Sequence, residues 1–291
     1  MFVRTPALSF LLSAFLAAGA FASGSALDEL LKSPGGNGYQ ANAPAVIASP
    51  EAPRVSALQA RMEADGDIVV TTPRRAPAGL QVLPDDKVRE ELPEGPERLP
   101  LVSRNKTGFQ KAADASNFDP LGLIPADLKA AAAEYYLANA DKIGNLRYAA
   151  VIDFSKHSSK ARLYLADLKD GSVKVLHVAH GSGSDANNDG YAEKFSNKVN
   201  SNSSSLGFYL TGDIYMGKHG RSMRLHGLSA TNSNAFERAV VIHAADYVQD
   251  KEVQQGRSWG CPAVSNANRD VVIDALKGGA LIYAGLSGVP Q

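Results

Sequence analysis

The fifteen prolines of this chain are unevenly spread, and ten of them fall between Pro34 and Pro100. Proline lacks a backbone N–H and fixes φ, so segments such as "APAVIASPEAPRV", "TTPRRAPAG" and "ELPEGPERLP" exclude long helices and central strands. With few aromatics to bury, residues 23–118 are expected to form a Pro/Gly-rich extended tether. One short helix is expected within it, at "ALQARMEAD". A packed core has to come from the remaining chain, which changes texture at Pro120.

The first residues carry a different signal. Arg4 is followed by an apolar run from Ala7 to Phe21, then by Ala20-Phe21-Ala22, with Gly24-Ser25-Ala26 as a second small-residue site. This is the pattern of a secretory signal peptide over residues 1–22, cleaved after Ala22 or Ala26. The alternative, an uncleaved anchor, is disfavoured because the run is shorter than the roughly 20 residues a spanning helix needs. No cysteine stands at the cleavage site to take a lipid, and no later segment is apolar enough to span. The expected location is therefore periplasmic. Lys and Arg number 30, as do Asp and Glu, so the net charge is zero and nothing suggests a nucleic-acid partner.

Residues 119–291 read as one α+β domain, mainly β. "IPADLKAAAAEYYLANADKIG" is helical, opened by Pro125 and closed by Gly144. "LRYAAVIDF" and "ARLYLADLKDGSVKVLHVAHG" are strand-like, with Asp170-Gly171 marking a hairpin. Further strands are expected at "LGFYLTGDIYMG", "SMRLHGL", "AVVIHAADYV" and "ALIYAG", and a helix at "NANRDVVIDALKGG" with Asn266 as its cap.

One cysteine, Cys261, lies in "GRSWGCPAV". It cannot form an internal disulfide, and an unpaired thiol in an exported protein calls for a reason. It is either a buried structural residue, a metal ligand or a nucleophile. A zinc site is poorly served, because there is a single thiolate and His219, His226 and His243 lack close ligand spacing. A nucleophile needs a base, a group to orient that base, and donors for an oxyanion. His243 ends the apolar stretch "AVVIH" and is the best base candidate. His157 is expected on a polar surface turn and His177 in the framework, whereas His180, His219 and His226 are cleft candidates. Gly260 permits a tight turn in which the N–H groups of Trp259, Gly260 and Cys261 converge. Arg221 and Arg224 are candidates to meet a substrate carboxylate, and "SGSDANNDG" resembles an acidic calcium loop without its closing Glu.

These segments resemble the L,D-transpeptidase catalytic domain of the YkuD type. "HAADYVQDKEVQQGRSWGC" has the family's order of base, spacer and nucleophile, and "VAHGSGSD" and the stretch from "EKFSNKV" to "RLHGL" support it over residues 145–286. Two departures stand out: Trp259 replaces the motif's second histidine, and Pro262-Ala263 follows the cysteine where Asn or Arg is common. The resemblance implies that Cys261 attacks tetrapeptide stems of peptidoglycan, releases D-Ala and makes 3–3 cross-links. It also implies that His243 serves as base, oriented by the backbone of Ala244. Substrate contacts are expected among Arg257, Ser258, Tyr209, Arg224, His226 and Gly227. No cofactor or metal is expected, and the oligomeric state is left open. An L,D-carboxypeptidase, with water as acceptor, and a wall-binding protein without turnover are the alternatives.

Overall fold

The computed structural model describes residues 58–91 and 117–289. The expected signal peptide and the rest of the expected tether lie outside the described residues. The elements in chain order are β1 (Ala60–Met62), β2 (Ile68–Val70), α1 (Ala126–Ala138), β3 (Tyr148–Asp153), β4 (Leu163–Asp167), β5 (Ser172–Leu176), β6 (Lys194–Phe195), β7 (Gly207–Gly217), β8 (Gly220–Gly227), β9 (Val241–Ile242), α2 (Arg269–Leu276) and β10 (Leu281–Gly285). Seven strands make the main sheet in the order β5-β4-β3-β10-β7-β8-β9, and β1-β2-β6 make a small one.

An interior strand explains its own sequence. β3 reads "YAAVID" and is buried at every position but the first. It runs parallel to β10 and antiparallel to β4, with both of its faces covered. Leu128, Ala132 and Tyr136 of α1 join Ala149, Val151 and Leu281 on one face, while Val272, Ile273 and Leu276 of α2 join Ala150, Ile152 and Ile282 on the other. A strand buried on both faces is continuously apolar rather than alternating. β5, at the sheet edge, is by contrast mostly exposed or half-buried, and "SVKVL" alternates in its chemistry.

Two local expectations change. "ALQARMEAD" is not helical: Ala60–Met62 pair antiparallel with Ile68–Val70 across a turn in which Gly66 takes φ +84°. β2 then pairs with β6, so tertiary pairing overrides the helix propensity of a segment too short to hold a helix alone. Lys194 and Lys198 hold the buried Asp67 carboxylate at 3.1 and 3.3 Å and anchor this hairpin. In α2 the cap position belongs to Asn268 rather than Asn266, with no side-chain capping bond. Asn266 instead donates to the Asp246 carboxylate at 2.6 Å.

Two features of this fold set up the site. The long β7–β8 hairpin shifts register between Thr211 and Ile214, and its tip carries Lys218 and His219. The short β9 pairs with β8 at Met223–Ile242 and Arg224–Val241, so the chain leaves the sheet at His243.

Candidate functional site

Cys261 is held between the end of the main sheet and the segment that follows it. The Val241 N–H donates to Sγ at 3.5 Å, and the thiol donates to the Ala239 carbonyl at 3.5 Å. Beyond the thiol, Ala244 and Val264 form a parallel bridge, with Val264 N–H donating to the His243 carbonyl at 2.9 Å. Base and nucleophile candidates are thus carried on adjacent, hydrogen-bonded segments. The His243 ring is fully buried, and its Nδ1–H donates to the Ala244 carbonyl at 2.9 Å. A carbonyl can only accept, so this bond fixes the tautomer and leaves the Nε2 lone pair available. Nε2 has no hydrogen-bond partner in the described residues.

The turn ahead of the thiol is locked by Ser258. Its buried hydroxyl donates to the Cys261 carbonyl at 2.7 Å and accepts from the Gly260 N–H at 3.1 Å. Ser258 therefore shapes the loop that carries the thiol from inside, where a substrate contact is expected from the sequence. Gly260 has φ +118°, and a Cβ there would lie 2.8 Å from the Ser203 carbonyl oxygen and 3.2 Å from Nη2 of Arg238. Only glycine fits both the backbone angle and the space. The loop is also tied to the "AHGSGSD" segment: Ser258 N–H donates to the His180 carbonyl at 2.9 Å and Ser182 N–H to the Ser258 carbonyl at 2.8 Å.

Beneath that segment lies a buried polar network. Arg162 donates to Val178 O at 3.0 Å and to Nδ1 of His180 at 2.7 Å, which turns the Nε2–H of His180 toward Asp185 at 3.2 Å. Asp185 in turn accepts from the N–H groups of Asp189 and Gly190. The expected resemblance to a calcium loop resolves into this: its first acid is consumed by protein donors. Burial holds His180 neutral, down to about 4, despite the adjacent carboxylate.

The other expected contacts divide. Tyr209 is core, its hydroxyl donating to Ser205 O at 2.8 Å. His226 is buried and stacks on Phe236 at 5.3 Å. Gly227 is required by packing, since a Cβ would overlap the Asn232 carbonyl. Arg221 pairs with Asp270 and Asp274 of α2 at 2.7 and 2.8 Å rather than facing a cleft. Arg224 lies over the rings of Tyr215 and Phe236 at 5.1 and 5.7 Å. His157, expected at the surface, is buried with Nε2–H donating to Asp189 O at 2.8 Å. His177 keeps a framework place, bonded to Ser159 O at 3.1 Å.

The family model for the L,D-transpeptidase catalytic domain matches residues 122–284. The chain belongs to this family. No curated protein matches it. Among solved structures, it is similar to an L,D-transpeptidase from Mycobacterium smegmatis (12% identity, 48% of this chain and 58% of that chain, TM-score 0.30). It is also similar to an L,D-transpeptidase from Xylanimonas cellulosilytica (14%, 53% and 69%, TM-score 0.28). A third is the helical cell shape determining protein Pgp2 from Campylobacter jejuni (12%, 48% and 48%, TM-score 0.30). The match spans less than two thirds of the first of these chains.

Within this L,D-transpeptidase domain, sequence reasoning missed two things. Arg238 has no motif signal, yet its guanidinium donates to Ser196 O at 2.7 Å and to Ser203 O and Ser205 Oγ, bracing the wall beside Gly260. The second is the cover. His219 stacks on His243 with ring centroids 4.0 Å apart, and Asp86, from the expected tether, lies 3.5 Å from Nε2 of His219. Donor atoms of Asp86, His219 and His243 all fall within 4.8 Å of one another. A shared metal would have to lie in both imidazole planes, and rings stacked only 24° apart do not offer that. The trio reads as a stacked ring and a carboxylate lying over the candidate base.

That cover sets the electrostatics. Cys261 is 6% exposed. Burial pushes its thiol up to about 12, against the Val241 N–H and with the added repulsion of Glu90 and Asp86. Burial and the neighbouring His219 push His243 down to about 3. In place of a thiolate favoured by an imidazolium, the closed site holds a neutral thiol and a neutral imidazole, because desolvation outweighs the loop dipoles.

Proposed function

We propose that this L,D-transpeptidase domain acts on the peptide stems of peptidoglycan through a thioester on Cys261. Sγ gives its proton to Nε2 of His243 and attacks the carbonyl following the L-centre of diaminopimelate in a tetrapeptide stem. The tetrahedral oxyanion faces the N–H groups of Trp259, Gly260 and Cys261, with the Gly260 N–H shared with Ser258 Oγ. Collapse expels D-Ala, which takes the proton from His243 as its amine leaves. The amine of a second stem then attacks the thioester, loses its proton to His243 and returns the free thiol, leaving a 3–3 cross-link. With water as acceptor the same steps give an L,D-carboxypeptidase.

The observation that carries this reading is the fixed tautomer of His243 beside the segment bearing the chain's only cysteine. A purely structural cysteine would need neither the Ser258 lock nor the strained Gly260. The peptidoglycan substrate fits an extracytoplasmic, periplasmic location, and no helix among the described residues is long and apolar enough to cross a membrane. The test is incubation with purified tetrapeptide muropeptides and product analysis by mass. Release of D-Ala with dimer formation supports transfer, release alone supports the carboxypeptidase, and release undiminished in Cys261→Ala rejects the assignment.

A further inference from the structure

Residues 81–91 run as a strap from the nucleophile loop to the tip of the β7–β8 hairpin. The strap first lies parallel to residues 254–257: Gln254 N–H donates to Gln81 O at 2.8 Å, Leu83 N–H to Gln254 O at 2.9 Å, and Asp86 N–H to Arg257 O at 2.8 Å. Asp85 forms a bidentate pair with Arg257, at 3.0 Å from Nε and 2.6 Å from Nη2, and also accepts the Arg257 backbone N–H at 2.9 Å. Asp86 then crosses the site. Its carboxylate accepts from the Tyr247 hydroxyl at 3.0 Å and its carbonyl from Nε1 of Trp259 at 3.3 Å. Arg89 lies 5.1 Å over the Trp259 ring, and the Val88 carbonyl accepts from Nε2 of His219 at 3.1 Å. Glu90, nearly buried, ends the crossing by accepting the Tyr215 hydroxyl at 3.0 Å and the N–H groups of Lys218 and His219 at 3.3 Å each.

The groove is shaped for this occupant. A Cβ on Gly256 would overlap the Pro84 carbonyl oxygen, and a Cβ on Gly217 would overlap the Glu90 carboxylate. Both glycines belong to the catalytic domain, one in each wall. Under the strap the base is fully buried and the nucleophile nearly so, so a stem peptide cannot reach both.

We infer that residues 81–91 are an internal ligand of the acyl-donor groove, which hold the enzyme latent until they leave it, with Asp85 occupying on Arg257 the subsite of a substrate carboxylate. The inference rests on the reading of Cys261 as nucleophile, and it names the ligand class of that groove: an extended peptide running parallel to residues 254–257 and presenting a carboxylate to Arg257. Guanidinium–carboxylate pairing of this bidentate kind is geometrically selective as well as strong. Departure of the strap removes two carboxylates from the vicinity of the thiol and readmits water, both of which favour the thiolate.

The test uses the full mature chain and its Asp85→Asn/Glu90→Gln variant, whose amides keep the shape but not the charge of the strap. The rate of Cys261 alkylation by iodoacetamide at constant pH is measured beside the thermal melt. The expected result is a rise of at least about 10-fold with the cooperative melt retained, the factor that one charge-assisted hydrogen bond commands. An unchanged or lower rate overturns the inference. If that variant loses its melt, Arg89→Ala, which loosens the strap from its outer side, is judged by the same criterion. Alkylation needs no substrate. A rise without muropeptide turnover therefore upholds the strap and removes the transpeptidase reading, and turnover without a rise does the reverse.

Discussion

Replacing Ser258 with alanine removes one hydroxyl and strands two backbone groups. The Gly260 N–H loses its acceptor at 3.1 Å and the Cys261 carbonyl loses its donor at 2.7 Å. Ser258, Gly260 and Cys261 are all buried, so water does not substitute. Each orphaned group costs about 1–3 kcal/mol. Deleting the hydroxyl returns part of its own desolvation, so a net loss of about 2–4 kcal/mol is expected. For a folded unit of this size, each kcal/mol lowers the melting temperature by roughly 2–4 °C, giving a fall of roughly 4–16 °C. Differential scanning calorimetry measures it, and Ser258→Thr, which keeps the hydroxyl, should fall less. The loop bearing the thiol should also lose its fixed turn, lowering muropeptide turnover beyond what stability explains. A Ser258→Ala melt within about 2 °C of wild type, with turnover retained, would refute the claim that Ser258 locks the loop from inside.

Gly260→Ala forces a side chain into φ +118° and toward the Ser203 carbonyl; a cost of about 1–3 kcal/mol by calorimetry and loss of thiol-dependent turnover are expected, whereas near-normal turnover would mean the turn relaxes freely. Acid should destabilise the fold early. His180 and His243 are held neutral by burial, down to about 4 and about 3, while each titrates near 6.5 when unfolded. Above pH 6.5 both are neutral in either state and contribute nothing. As pH falls from 6.5 toward 4 the unfolded chain takes up protons that the folded one refuses, costing about 1.4 kcal/mol per pH unit for each histidine. A melting temperature that stays flat across this window would contradict their buried, neutral state.

The catalytic half was legible because its signals are local and periodic. β3 announces a doubly covered strand by unbroken apolar character, and Asp170-Gly171 marks the β4–β5 turn, with Gly171 at φ +76°. His243 and Cys261 stood out because a lone cysteine after Ser-Trp-Gly has few structural excuses. What escaped were interactions whose partners lie far apart in sequence. Asp85 meets Arg257 across 172 positions and Glu90 meets Tyr215 across 125, and no motif encodes either pair. Proline density points to extended chain for residues 81–91, but extended chain serves as well in a groove as in solvent. The raised thiol is similar: loop dipoles are visible in "SWGC", while the burial that outweighs them and the repulsion of the distant Glu90 and Asp86 are not. The clue available was glycine at 217 and 256, which is ambiguous until the chain above it is seen.

The central claim is that Cys261 becomes acylated by a peptide stem. Intact-protein mass spectrometry of the mature chain quenched during reaction with a tetrapeptide muropeptide tests it directly, with the Asp85→Asn/Glu90→Gln variant run alongside. The expected result is an adduct equal to the muropeptide less D-Ala and bound through Cys261, more abundant in the variant and absent in Cys261→Ala. Continued D-Ala release by Cys261→Ala, or an adduct mapped to another residue, would contradict the account.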